Sequence, residues 1–184
     1  MKKIVFLDRD GTINVEKSYL HRWEDFEFEK NVIDGLKAIK ELGYEFIVVT
    51  NQSGIARGYY TEEDLIKLNA SMVKELNNHG IDILECYYCP HHIEKGIGIY
   101  KKECECRKPN PGMLKDAIKK YDIDIDSSFM IGDKGSDLEA GENAGVQSIL
   151  VKTGYGNKIV DKYEGKYPVA EDLLEVAKII KKLI

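Results

Sequence analysis

The stretch Ile4-Val5-Phe6-Leu7-Asp8-Arg9-Asp10-Gly11-Thr12 decides how the chain is read. A short apolar, β-prone run stops at two carboxylates, Asp8 and Asp10, one residue apart, and a glycine follows. The run predicts a fully buried strand. Asp8 and Asp10 then fall where that strand gives way to a loop, the place where open α/β sheets bind ligands. Two like charges this close repel unless something positive lies between them. A divalent cation with oxygen ligands is the simplest such partner, so the stretch reads as an active-site signature.

Outward from it, strand and helix patterns alternate. Ile33, Leu36, Ile39 and Leu42 share one face of a helix that Gly43 ends. Glu45 to Val49 reads as the second strand, running into Thr50-Asn51. Thr61 caps a helix with Asp64 three residues on, and Leu65, Leu68, Met72 and Leu76 form its stripe before Gly80. Ile83 to Tyr88 reads as a third strand, Pro111 as a helix start, and Ser127 to Ile131 as a fourth strand ending at Gly132-Asp133. Ser136 is expected to cap a short helix stopping at Gly145; Gln147 to Val151 gives a fifth strand, and Glu171 to Ile184 a closing helix. The expected fold is α/β, a doubly wound parallel sheet with helices on both faces. The irregular segments 12 to 30 and 89 to 110 are too short for a separate cap, so residues 1–184 are expected to form one domain.

Composition narrows the function. With 43% hydrophobic and 32% charged residues the chain is ordinary globular material, and no apolar run approaches a membrane span. The apolar run after Met1-Lys2-Lys3 is too short for a signal-peptide core, which points to the cytoplasm. A net charge of −5 offers no field for nucleic acid. Phosphate binding must come from a few placed cations, and four cysteines in such a chain suggest metal rather than disulfides. Nothing indicates an exposed apolar seam, so a monomer is the default.

In a right-handed doubly wound sheet, Asp8, Asp10, Thr50 and Asp133 gather at the carboxyl edge of neighbouring strands. That set suits phosphoryl transfer. Asp8 would attack phosphorus, and Asp10 would protonate the leaving oxygen and later deprotonate water. Thr50 and Lys108 would hold the phosphoryl oxygens, and Asp133 would complete a Mg²⁺ site. Asp8 must be ionised and Asp10 protonated in the first step, a division that a metal on Asp8 favours.

These residues resemble the four motifs of haloacid dehalogenase (HAD) superfamily phosphatases: Asp8-Arg9-Asp10-Gly11-Thr12, Thr50-Asn51, Lys108-Pro109 and Gly132-Asp133-Lys134-Gly135-Ser136-Asp137. Four longer stretches are similar to the D-glycero-D-manno-heptose 1,7-bisphosphate 7-phosphatase family. They are Phe6-Leu7-Asp8-Arg9-Asp10-Gly11-Thr12-Ile13-Asn14, Val49-Thr50-Asn51-Gln52-Ser53-Gly54-Ile55-Ala56-Arg57-Gly58, Cys89-Pro90-His91-His92 and Cys104-Glu105-Cys106-Arg107-Lys108-Pro109-Asn110-Pro111-Gly112-Met113-Leu114. The similarity loosens after Val151, and Asn110 stands where relatives commonly carry histidine. The resemblance implies a HAD-like fold without a separate cap domain, and a small sugar phosphate as substrate. It makes Asp8 the nucleophile, Asp10 the proton donor, and Asp8, Asp10 and Asp133 the Mg²⁺ ligands. Thr50 and Lys108 would stabilise the phosphoryl group. Substrate contacts would fall on Glu16, Lys17, Ser18, Tyr19, Thr50, Asn51, Gln52, Ser53, Arg107, Lys108 and Lys134.

Cys89 and His91 are one residue apart, as are Cys104 and Cys106, a three-sulfur, one-imidazole set suited to tetrahedral zinc. With four ligands the site would be closed and structural, and the resembling family carries zinc on these same positions. His92 competes with His91, and the family pattern selects His91. Cys86 reads as core, His21 and His79 as surface residues. Asp137 is equally an acid at a helix N-terminus or a metal ligand. Two other activities share these features in part: a histidinol-phosphate phosphatase, and a phosphatase for a large partner such as a DNA end, which the absent basic face disfavours. A catalytically inactive, zinc-stabilised binding domain is the reading from another class. It should have lost one of Asp8, Asp10, Thr50, Lys108 or Asp133, and all five are present.

Overall fold

The structure, a computed structural model, describes residues 1–184. The first strand, β1 (Ile4–Leu7), is apolar and buried throughout, as a strand covered on both faces must be. The others are β2 (Glu45–Asn51), β3 (Ile83–Cys89), β4 (Phe129–Gly132), β5 (Gln147–Val151) and β6 (Val169–Ala170). They form one sheet in the order β3-β2-β1-β4-β5-β6, and every pairing is parallel. The chain winds outward from β1 to β3, then returns to the other side of β1 with β4. The crevice between the two directions therefore opens at the carboxyl end of β1, where Asp8 lies.

Seven helices complete the fold: α1 (Val32–Glu41), α2 (Ser53–Ala56), α3 (Glu62–Asn78), α4 (Gly112–Tyr121), α5 (Gly135–Ala144), α6 (Gly156–Tyr163) and α7 (Leu173–Leu183). Alternation along β1 divides the core. Val5 and Leu7 join Leu36 and Ile39 of α1, Met72 of α3 and Val176 of α7. Ile4 and Phe6 join Met113 and Leu114 of α4 and Ala140 of α5 on the opposite face. No helix is long and apolar enough to cross a membrane.

The expected strands and long helices are present, with local differences. The two-residue β6 and the short α2 and α6 carry too few periodic positions to be read from sequence. The fourth strand begins at Phe129 because Ser128 is diverted: its hydroxyl donates to the Asp124 carbonyl and accepts from the Ile4 N–H at 3.0 Å. Ser136 does not cap α5. The cap position is Lys134, whose N–H donates to the Asp137 carboxylate at 3.0 Å. Thr61 does cap α3, its hydroxyl accepting from Asp64 N–H at 3.1 Å while the Asp64 carboxylate accepts from Thr61 N–H at 2.9 Å. α7 starts later than expected, with Asp172 accepting from the N–H groups of Leu174 and Glu175. The segments 12–30 and 89–110 contain only 3-10 turns, at Trp23–Asp25 and Gly98–Tyr100, beyond the end of β3 and isolated bridges.

α1 and α7 meet at Gly35, where a Cβ would come within 2.5 Å of the Leu173 backbone. Gly35→Val should therefore force the helices apart and lower stability by about 1–3 kcal/mol, read as a reduced urea midpoint with unchanged metal binding. An unchanged midpoint would contradict this close packing.

Candidate active site

Asp8 follows β1 directly, and its N–H donates to the Ile131 carbonyl of β4 at 3.0 Å. Its Oδ1 accepts a hydrogen bond from Lys108 Nζ at 2.7 Å. The same ammonium donates to the Val49 carbonyl at 2.7 Å and pairs with Asp137 Oδ1 at 2.7 Å. Its three hydrogens thus meet three acceptors. Burial opposes the charge on Lys108, but Asp137 and Asp8 outweigh it and raise its pKa, so the ammonium persists. The other Asp137 oxygen receives the Lys134 N–H. Asp137 therefore closes the start of α5, one of the two roles its position left open, and orients Lys108 as well.

Asp133 follows β4 directly and is fully buried. Its Oδ2 accepts from the Tyr155 N–H at 2.8 Å, whereas its Oδ1 is buried without a partner. Burial, then the charges of Asp8 and Asp137, push its pKa up to about 8. Gly11 (φ +87°) and Gly154 (φ +53°) press against it: a Cβ on either would lie 2.2 Å from Asp133 Oδ2. Only glycine permits this approach. Carboxylate oxygens of Asp8, Asp133 and Asp137 lie within 4.8 Å of one another. Three acids around one orphaned oxygen fit a divalent cation.

The Asp10 carboxylate is not part of that cluster. It accepts from Arg9 at 3.1 Å, Asn14 Nδ2 at 3.0 Å and Gln52 Nε2 at 2.8 Å. Burial alone would raise its pKa. The Arg9 charge, with hydrogen bonds from Asn14, Arg9 and Gln52, outweighs burial and holds it below the usual range. The setting favours the anion, opposite to the protonated state expected for the first step. Arg9 is itself fully buried and ties Asp10 to Asn69 of α3 and to the Leu20 carbonyl.

Beside Asp10 opens a cleft of about 300 Å³, lined by Glu16, Ser18, Tyr19, Asn51, Gln52, Ser53 and Lys134 among the expected contacts, and also by Tyr60 and Tyr155. Four expected contacts do not line it: Thr50 and Lys108, both buried, and Lys17 and Arg107. Lys17 turns away to the Asp25 carbonyl and the Glu27 carboxylate, at 2.8 and 3.1 Å. Arg107 donates to the His91 carbonyl at 3.3 Å. Within the cleft, Lys134 pairs with Glu16 at 3.3 Å. Asn51 spends its amide on the backbone of Lys108, donating to its carbonyl and accepting from its N–H, both at 3.0 Å. Tyr155 and Tyr60 went unread. Tyr155 follows β5, so the strand-end rule that found Asp133 would also have pointed to its loop; Tyr60 gives no sequence signal.

At the end of β3, Cys89, His91, Cys104 and Cys106 bring their ligand atoms within 4.8 Å of one another. The sulfurs are 3.0 to 3.5 Å apart and unbridged. Pairing with Cys89 holds the Cys106 thiol down, to about 5, while the same pairing pushes Cys89 up. The cluster is compatible with zinc. His92 lies outside it, its Nδ1 accepting from Glu94 and Lys95 N–H groups. Cys86 is outside as well; His21 is no plain surface residue, its ring stacking on Tyr60. Asn110 donates to the Cys104 carbonyl at 2.8 Å, bracing the loop between cluster and Lys108.

A HAD-hydrolase-like family model matches residues 105–176. The chain is 46% identical over 184 residues to the D-glycero-beta-D-manno-heptose-1,7-bisphosphate 7-phosphatase of Pasteurella multocida, spanning 100% of this chain and 99% of that protein. It is 52% identical over 154 residues to the D-glycero-alpha-D-manno-heptose-1,7-bisphosphate 7-phosphatase of Photorhabdus laumondii, spanning 83% and 84%. The crystal structure of D,D-heptose 1,7-bisphosphate phosphatase from B. bronchiseptica, complexed with magnesium and phosphate, matches with a TM-score of 0.86 at 29% identity, covering 99% of each chain. The chain thus belongs to the D-glycero-D-manno-heptose 1,7-bisphosphate 7-phosphatase family of HAD-like phosphatases.

Proposed function

We propose that the chain removes the 7-phosphate of D-glycero-D-manno-heptose 1,7-bisphosphate through a phosphoryl group carried on Asp8, in heptose supply for bacterial surface polysaccharide. Its named relatives are phosphatases, and the chain is a phosphoric monoester hydrolase. The observation that carries the mechanism is the buried Lys108 ammonium against Asp8 at the sheet edge. It sets a cation 2.7 Å from the carboxylate that would attack phosphorus.

Asp8 and Asp133 would hold Mg²⁺, with Asp10 the third ligand that the resemblance implies, although the Asp10 carboxylate is committed to Arg9, Asn14 and Gln52. Bound there, the ion would neutralise the charges that otherwise keep phosphate away from three acids. An Asp8 oxygen attacks phosphorus, and the bond to the sugar oxygen breaks. Asp10 gives that oxygen a proton, then takes one from the water that attacks the phosphoryl group. Its anion-favouring surroundings suit the second step, so the proton for the first must arrive with substrate. Lys108 and the Thr50 hydroxyl meet the charge developing on the phosphoryl oxygens, and Lys134 leaves Glu16 for the incoming phosphate. Of the expected sugar contacts, we keep Glu16, Ser18, Tyr19, Asn51, Gln52, Ser53 and Arg107, and give Lys17 no side-chain part.

We also propose that Cys89, His91, Cys104 and Cys106 hold Zn²⁺, whose task is to place the loop carrying Arg107 and Lys108. Residues 1–184 are taken as one catalytic domain, a cytoplasmic monomer acting on a small molecule; the net charge of −5 supports that over nucleic acid.

Phosphate release with Mg²⁺ should favour heptose 1,7-bisphosphate, in one anomer or both, over histidinol phosphate by about a hundredfold or more in kcat/KM. A preference for histidinol phosphate would overturn the substrate. Asp8→Asn should lower kcat by about 10³-fold or more with the fold intact; retained turnover would rule out Asp8 as nucleophile. Cys104→Ser should cost about 10–100-fold in turnover while Mg²⁺ affinity, measured by calorimetry, stays within a few-fold. Full activity in a zinc-free protein would exclude the positioning role.

A further inference from the structure

Gln52 lies buried between the two groups that the proposed function places on the substrate's phosphate. Its Nε2 has two hydrogens, and both are used: one goes to Asp10 Oδ2 and one to Thr50 Oγ1, each at 2.8 Å. Its Oε1 accepts the phenolic hydrogen of Tyr60. The polarity of the chain follows. Because the Thr50 oxygen accepts from Gln52, the single Thr50 hydrogen is kept for another acceptor. A flipped amide would set its oxygen against the Asp10 carboxylate, draw in the Thr50 hydrogen and strand the buried Tyr60 hydrogen.

Tyr60 is itself held in place. The His21 ring stacks on it with centroids 4.9 Å apart and planes 8° from parallel. A Cβ at Gly54 would come within 2.1 Å of its Cε1. Burial raises the phenol's pKa, so it stays protonated. A largely buried tyrosine in a cleft wall is more often plain packing. Here its one polar atom is spent on the one amide that touches both Asp10 and Thr50.

We propose that Tyr60 is a positioning residue for phosphoryl transfer, acting through Gln52 to keep Thr50 a hydrogen-bond donor and to steady Asp10. This rests on the roles given to Thr50 and Asp10 above. Tyr60→Phe keeps the ring and the His21 stack and removes only the donor. It should lower kcat by about tenfold or more with KM within about twofold. Affinity for orthovanadate, a mimic of the transition state, should fall in step with kcat, and affinity for inorganic phosphate should not. In a Gln52→Met background, Tyr60→Phe should have no further effect.

Unchanged kcat, a loss confined to KM, or an equal loss in the Gln52→Met background would each overturn the proposal. Should Tyr60→Phe fail to fold, Gly54→Ala displaces the same ring and should give the same kcat-selective loss; its absence would overturn the proposal too. Lack of phosphatase activity in the unaltered chain would instead sink the proposed function. Activity there with an unaffected Tyr60→Phe sinks the relay alone.

Discussion

The site depends on one buried cation. Three carboxylates, those of Asp8, Asp133 and Asp137, converge at the carboxyl edge of the sheet, and Lys108 Nζ lies 2.7 Å from two of them. Away from water, such a cluster repels itself strongly and would be pushed toward the neutral acid form. Asp133, which Lys108 does not touch, has its pKa raised to about 8, by burial first and then by the charges of Asp8 and Asp137. Lys108 cancels part of the repulsion; its third hydrogen, on the Val49 carbonyl, fixes its direction. What remains uncancelled is the orphaned Asp133 oxygen, where the chemistry calls for a divalent ion.

Placing that cation takes much of the chain. Lys108 sits on a loop, where backbone freedom is greatest, so it is tied from two directions. Asn51 clamps its backbone N–H and carbonyl from the end of β2. Cys106, two residues earlier, belongs to the Cys/His cluster anchored at the end of β3. Neighbouring strands thus hold both approaches to one ammonium group. A zinc ion on this cluster would position the Lys108 loop through this connection.

The fold was legible because it follows from repetition. Buried parallel strands are continuous apolar runs, long helices carry a 3.6-residue stripe, and Thr61 and Gly145 mark ends through local chemistry. β6 is two residues long, and nothing periodic fits in two residues. In the site, the residues at strand ends were readable by position, as Asp8, Thr50 and Asp133 were. Side-chain direction was not. Lys17 belongs to the motif-bearing loop yet turns to Asp25 and Glu27. Asn51 sits beside the cleft yet spends its amide on Lys108. The double duty of Asp137, the Tyr155 N–H on Asp133 and the anion-favouring shell of Asp10 all arise between segments distant in sequence. No local pattern encodes them.

The claim that Asp8 carries the phosphoryl group is tested most directly by acid-quenching the enzyme during turnover of heptose 1,7-bisphosphate and mapping the modified peptide by mass spectrometry. The expected result is a phosphoryl adduct on Asp8, formed within one turnover and lost as phosphate is released. Turnover with no adduct, or with an adduct on any other residue, would contradict it.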